Sequence, residues 1–278
     1  MKNLREQMKI ELEITGYCQN TQSCYVRYAE DFFKYTGKTP KSISSEEIED
    51  YLHYLIKEKQ VSTSYINGVY SALKFFYERT LKQNWIAFRI PRRKVEKRLP
   101  YVLDVSEVKA IIESTQNLKH KAILMVTYSS GLRVSETAAL KMGDIDSKRM
   151  QIRVTQGKGK KDRYTILSKI TLNILRDYYK IHRPVNWLFP GIPHEKALSS
   201  RSIQRIFETA KDKAGIKKSV SIHALRHSFA THLLESGTDI HYIQQLLGHS
   251  CIKTTSVYIH ISRKDLIKIV SPLDSFFK

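Results

Sequence analysis

At 278 residues the chain is long enough for one large core or two modest ones. Hydrophobic residues make up 41% of it, yet no apolar run approaches the ~20 residues of a membrane span, and three cysteines (Cys18, Cys24, Cys251) without ligand-like spacing exclude a disulfide scaffold. The 47 basic against 27 acidic residues, a net charge of +20, point to a polyanionic partner, with nucleic acid first through counterion release.

The opening stretch, MKNLREQMKIELEITG, is amphipathic and has neither the apolar core nor the small-residue cleavage site of a signal peptide, so a cytoplasmic protein with reduced thiols is expected. Leu4, Met8 and Leu12 lie at helical spacing over Asn3 to about Thr15. A second helix is expected from about Thr21, burying Tyr25, Ala29 and Phe32 and stopping at Gly37. Ser44 and Glu47 make a capping-box pattern ahead of Ile48, Leu52 and Leu55, and a fourth helix from about Ser64 carries Ile66, Val69, Leu73 and Phe76. Residues 1–88 therefore read as a small helical domain, nearly neutral, with 12 basic and 11 acidic side chains.

RIPRRKVEKRLP, residues 89–100, holds six basic residues and a proline near each end, and reads as an extended interdomain strap. The second domain, 101–278, opens with another capping pattern at Asp104 and Glu107, followed by an apolar helix near Lys119–Tyr128 that ends in SSGLRVSE. QIRVT and RYTIL read as two short strands around the glycine-lysine tip QGKGKKD, and the remainder from about Thr171 reads as mostly helix. The fold class expected is mainly α with a small β-sheet.

Six of the ten histidines (His223, His227, His232, His241, His249, His260) fall near the C-terminus. In HALRH, His223, Arg226 and His227 share one face of a helix. A zinc protease helix needs glutamate directly after the first histidine, where Ala224 stands, and no Cys-x-x-Cys accompanies it, so no metal is expected. Permanent guanidinium donors at Arg133 and Arg226, titratable imidazoles and the mobile Lys158 suit an anionic centre such as a phosphate instead. Tyr258 stands nine residues after His249 of a Gly-His pair; an aromatic between Val257 and Ile259 would ordinarily be packing.

Taken in order, GLRVSE, GKGKKDR, HALRHSFATHLLESG, LLGHS and TTSVYIH resemble the tyrosine recombinase family of phage integrases and Xer proteins, over about Leu103 to His260. The resemblance implies an N-terminal core-binding (SAM-like) DNA-binding domain and a C-terminal catalytic domain. It implies Tyr258 as nucleophile, Arg133 and Arg226 as the phosphate clamp, Lys158 as general acid, and His223 and His249 completing the site. The choice of Lys158 over Lys160 and Lys161 rests on the Gly-Lys-Gly motif. His227 and His232 are assigned to packing and hydrogen bonding, and Glu136 to bracing an arginine or a backbone group.

The activity implied is site-specific recombination of double-stranded DNA through a 3′-phosphotyrosine, without metal, cofactor or ATP, by a homotetramer on two paired sites, with a partner recombinase or DNA-bending protein possible and no membrane involvement. The alternatives are a type IB topoisomerase-like nicking-closing enzyme and a silent DNA-binding protein of the same fold. Integron integrases carry an extra helical insertion before the His-x-x-Arg box; the 64 residues between Lys158 and His223 read as fully used by ordinary helices and turns, which argues for a simple integrase or Xer-like enzyme. Leu266, Ile267, Val270, Leu273, Phe276 and Phe277 give the tail an apolar stripe, which the resemblance docks onto a neighbouring protomer.

Overall fold

The computed structural model describes residues 2–85, 92–94, 101–155, 162–249 and 251–258. Lys158, His260, most of the basic strap and the apolar tail lie outside them. The chain forms two compact units, Met1–Lys97 and Arg98–Lys278.

The first unit is built from four helices: α1 (Lys2–Ile14), α2 (Gln19–Thr36), α3 (Ser45–Lys57) and α4 (Thr63–Phe75). Helix α2 begins before the threonine that the sequence favours and leaves Tyr25 half-buried, while Val26, Ala29, Phe32 and Phe33 face inward. It stops because Gly37 takes a left-handed conformation (φ 62°) and its N–H caps Phe33. The Ser44 hydroxyl accepts the Glu47 N–H and the Glu47 carboxylate accepts the Ser44 N–H, so the capping box closes on both sides. Helix α4 continues into a π-helical turn, Phe76–Thr80, that the spacing of its apolar residues does not announce. The wider turn packs Phe76 and Tyr77 into the core, and Tyr77 donates to the Pro40 carbonyl at 3.2 Å.

The second unit surrounds α6 (Leu118–Ser129), in which every residue from Ala122 to Thr127 is buried. Helices α5 (Val105–Glu113), α8 (Lys169–His182), α9 (Ser200–Lys213) and α10 (His223–Glu235) pack about it, with the short α7 (Val134–Ala138) following its C-terminal turn. The expected strands pair antiparallel as β2 (Gln151–Val154) and β3 (Arg163–Ile166), with Val154 opposite Arg163. A two-residue strand, β1 (Ile145–Asp146), adds an edge too short to show a period in the sequence. Helices α11 (Ile240–Leu247) and α12 (Ile252–Thr255) close the unit, and α11 packs on both α10 and β3. None of the helices among the described residues is long and apolar enough to cross a membrane.

Candidate active site

Helix α10 carries polar chemistry into the interior because seven of its thirteen residues are buried. Ala224, Leu225, Ser228, Phe229, Ala230 and Thr231 pack inward, and Arg226 goes with them at 5% exposure. A buried guanidinium needs acceptors for its donors. Arg226 finds two backbone carbonyls, Gly131 O at 2.6 Å from Nη1 and Leu247 O at 2.7 Å from Nη2. Burial and then Arg133 lower its pKa to about 10, so it stays charged at neutral pH.

The Gly131 carbonyl is presented by the turn that ends α6. Gly131 has φ +59°, and a Cβ there would lie 2.3 Å from Cδ1 of Phe229, so only glycine fits. Directly after this turn, Arg133 and Glu136 flank the first turn of α7. The Glu136 carboxylate accepts the Arg133 N–H at 2.8 Å and Arg133 Nη1 at 2.7 Å. The Arg133 guanidinium makes no other hydrogen bond among the described residues and its side chain is 20% exposed, which leaves donors open to a ligand.

Glu136 braces more than one arginine. Arg163 of β3 forms a parallel pair with it, Nη1 to Oε1 at 2.8 Å and Nη2 to Oε2 at 2.7 Å, and Arg226 Nη1 lies 3.7 Å from Oε2. Burial pushes the Glu136 carboxyl up, but the hydrogen bonds and charge of Arg163, with those of Arg133, win and hold it at about 2. One carboxylate faces three guanidinium groups, so the pocket keeps a positive excess suited to an anion.

His249 follows α11 and joins the same cluster. Its Nε2 lies 3.1 Å from Arg226 Nη2 and its Nδ1 2.9 Å from Thr255 Oγ1. An arginine can only donate, so Nε2 accepts and the Nδ1–H donates to Thr255. Burial, then Arg226, Arg133 and Arg163, pull the imidazole down to about 4. His223, at the exposed start of α10, is lowered by partial desolvation, then by Arg226 and Arg133.

Tyr258 ends the described chain in a 3₁₀ turn at 3% exposure, packed with Phe229, Ala230, Ile243 and Leu247. The packing ordinarily expected of that aromatic is thus present at Tyr258. Its hydroxyl lies 3.0 Å from Nδ1 of His227. Burial raises its pKa, while Arg226 and Arg133 pull the other way. His227 is itself lowered to about 4, by burial first, then His223 and Arg226. His232 meets the Tyr128 hydroxyl at 2.9 Å, away from these contacts.

The structure therefore brings Arg133, Arg226, His249 and Tyr258 into one electrostatically linked pocket, with His223 at its edge. Lys158 falls outside the described residues. Arg163 and His227 received no catalytic assignment from sequence; Arg163 stands inside the quoted GKGKKDR motif and His227 directly after Arg226, the only signals available. Among the described residues no three His, Cys, Asp or Glu side chains gather as a metal-ligand set.

The sequence profile of the phage integrase family matches residues 101–265, and that of the phage integrase N-terminal SAM-like domain matches residues 4–87. The putative integrase/recombinase y4qK of Sinorhizobium fredii is 39% identical over 275 residues, covering 99% of this chain and 89% of that protein. Tyrosine recombinase XerA of Pyrococcus horikoshii is 34% identical, covering 95% and 91% respectively. A crystal structure of XerA recombinase matches 96% of each chain at 29% identity and a TM-score of 0.57. A lambda integrase tetramer bound to a Holliday junction matches 92% of this chain and 76% of that one with a TM-score of 0.75; at 19% identity the likeness is one of fold.

Proposed function

Because the chain belongs to the phage integrase family of tyrosine recombinases, we propose that it recombines DNA at specific sites by cutting and rejoining strands through a 3′-phosphotyrosyl bond at Tyr258. The observation that carries this reading is the shared seat of Arg133, Arg226 and His249, a buried cationic pocket beside the one tyrosine that the family pattern singles out.

In this reading a DNA phosphate enters opposite the open donors of Arg133. Charge on its non-bridging oxygens grows as the phenolic oxygen attacks phosphorus, and preorganised guanidinium groups stabilise it without moving. The phosphate's own charge also offsets the arginine field that, after burial, lowers the pKa of His223 and His249, which raises their proton affinity. The phenolic proton passes to an imidazole, with His223 in that role; the Tyr258 O–P bond forms as the P–O5′ bond breaks, and Lys158 protonates the departing 5′ oxygen. One phosphodiester replaces another, so no ATP is consumed. A 5′ hydroxyl from a second duplex reverses the step and joins strands in a new pairing.

Tyr258 starts this sequence buried and bonded to His227, so cleavage requires its hydroxyl to leave that partner. Residues 1–88, the basic strap 89–100 and residues 101–278 act, in this reading, as core-binding domain, DNA-following strap and catalytic domain. Solved neighbours bound to DNA, a XerH recombinase on its difH substrate and the lambda integrase tetramer on a Holliday junction, support a double-stranded DNA partner and a tetramer on two paired sites.

The test is a nicked suicide duplex carrying the recombination site, to be sought as inverted repeats about a short spacer in the DNA flanking the gene, incubated in EDTA. Wild type accumulates a covalent protein–DNA adduct, and Tyr258→Phe binds the duplex and forms none. An adduct that persists in Tyr258→Phe overturns the assignment, and rejoining only to the original strand favours the nicking-closing activity.

A further inference from the structure

Arg163 spends every nitrogen of its guanidinium on other parts of the protein. Nη1 and Nη2 grip Glu136, and Nε donates to the Leu246 carbonyl at 2.8 Å. Its side chain is 10% exposed, so it presents nothing to a ligand. Yet its partners bear directly on the pocket. Glu136 holds both the main chain and the guanidinium of Arg133, and Leu246 immediately precedes the carbonyl that accepts from Arg226. Arg163 also begins β3, two residues after the undescribed hairpin segment that contains Lys158.

The fit is close on the remaining side. Gly248 takes φ +63°, and a Cβ there would sit 2.6 Å from Cδ and 3.1 Å from Nε of Arg163. The glycine of the Gly-His pair is thus explained by the arginine stem lying against it, which sets where the chain turns into His249.

We propose that Arg163 is a positioning residue for the reaction: it locks α7, β3 and the α11–His249 turn together, so that Arg133 and Arg226 meet the scissile phosphate in a fixed geometry. This rests on the clamp role given to those arginines above. Lysine does not substitute, because a point charge cannot make the planar pair with Glu136 and reach Leu246 O at once. Misplacing a catalytic group by about 1 Å is worth about 100-fold in rate.

The experiment measures single-turnover cleavage by Arg163→Lys, Arg163→Gln and Arg133→Ala on the suicide duplex, with either an ordinary phosphate or a methylphosphonate at the scissile position. A methylphosphonate diester is uncharged, so a misplaced clamp matters less on it. Thermal melting and duplex binding of each variant identify any general loss of fold. On phosphate, both Arg163 variants should cleave about 100-fold more slowly than wild type. On methylphosphonate they should recover most of that loss, and so should Arg133→Ala. Near-wild-type cleavage by Arg163→Lys overturns the inference, as does equal impairment of the Arg163 variants on both substrates while Arg133→Ala recovers. If Arg163→Gln does not fold, Arg163→Lys decides alone. If Arg133→Ala itself shows no recovery, the clamp reading falls, and this inference falls with it.

Discussion

The hydroxyl of Tyr258 and Nδ1 of His227 lie 3.0 Å apart, joining residues 31 positions distant in the chain. His227 is held neutral with a pKa of about 4, and burial raises that of Tyr258, so the phenol donates and the imidazole accepts. An acceptor that weak does not ionise a phenol. The contact holds Tyr258 protonated and inside.

Removing the acceptor should release the tyrosine. A neutral hydrogen bond of about 1 kcal/mol corresponds to about a fivefold change in the exposed population. His227→Ala is expected to accelerate nitration of Tyr258 by about that factor, with the site resolved by mass spectrometry and tyrosines of the first unit serving as internal controls. In wild type the same reactivity, normalised to those controls, should rise as pH falls through about 4, where His227 gains a proton at Nδ1 and stops accepting. Unchanged Tyr258 reactivity in His227→Ala would show that packing alone retains the ring.

The Glu136 carboxylate ties stability to acid. Its folded pKa of about 2 lies below the ordinary value near 4.5, so its contribution is complete above pH 4.5 and is lost as pH falls towards 2. The shift corresponds to stability on the order of 3 kcal/mol. Denaturant titrations of wild type across this window should show the decline, and Glu136→Gln should show a flatter one. The variant should also be less stable at pH 7, by about 3–5 kcal/mol, because buried guanidinium groups lose their counter-charge. A wild-type and variant pair with parallel pH profiles would contradict this account.

Lys158 is tested through the leaving group. Lys158→Ala should cleave ordinary DNA about 100-fold more slowly or worse, in line with loss of a general acid. A 5′-bridging phosphorothiolate leaves as a thiolate and needs little protonation, so on it the variant should approach wild type. Equal impairment on both substrates assigns Lys158 a binding role instead, and recovery by Lys160→Ala or Lys161→Ala would move the acid to that lysine.

What the sequence made legible was local or patterned. The Ser44–Glu47 box depends on residues three apart, the His223–Arg226–His227 face on one helical turn, and the β2–β3 hairpin on two alternating runs about a glycine-rich tip. What it hid depends on folding distance. Arg163 and Glu136 are 27 residues apart and His227 and Tyr258 are 31 apart, with no periodicity to relate them. The π-helical turn at Phe76–Thr80 was hidden for another reason: its residues also suit an α-helix, and tertiary packing of Phe76 and Tyr77 decides between the two. The motif singles out Tyr258, and packing is the ordinary reading of an aromatic there, but nothing in the sequence pairs its hydroxyl with His227.

Arg226 is anchored by the carbonyls of Gly131 and Leu247, atoms that every amino acid possesses. No side-chain exchange at position 247 deletes its acceptor, and at 131 an exchange acts only by deforming the turn. A deep mutational scan would therefore show no loss at position 247 that reports the Leu247 contact, whatever its intolerance at 226. Methods that infer proximity from correlated changes between positions would be blind to these two contacts. Their strength would become visible only by editing the main chain itself, for instance by replacing the amide that follows Leu247 or Gly131 with an ester and weakening the carbonyl as an acceptor.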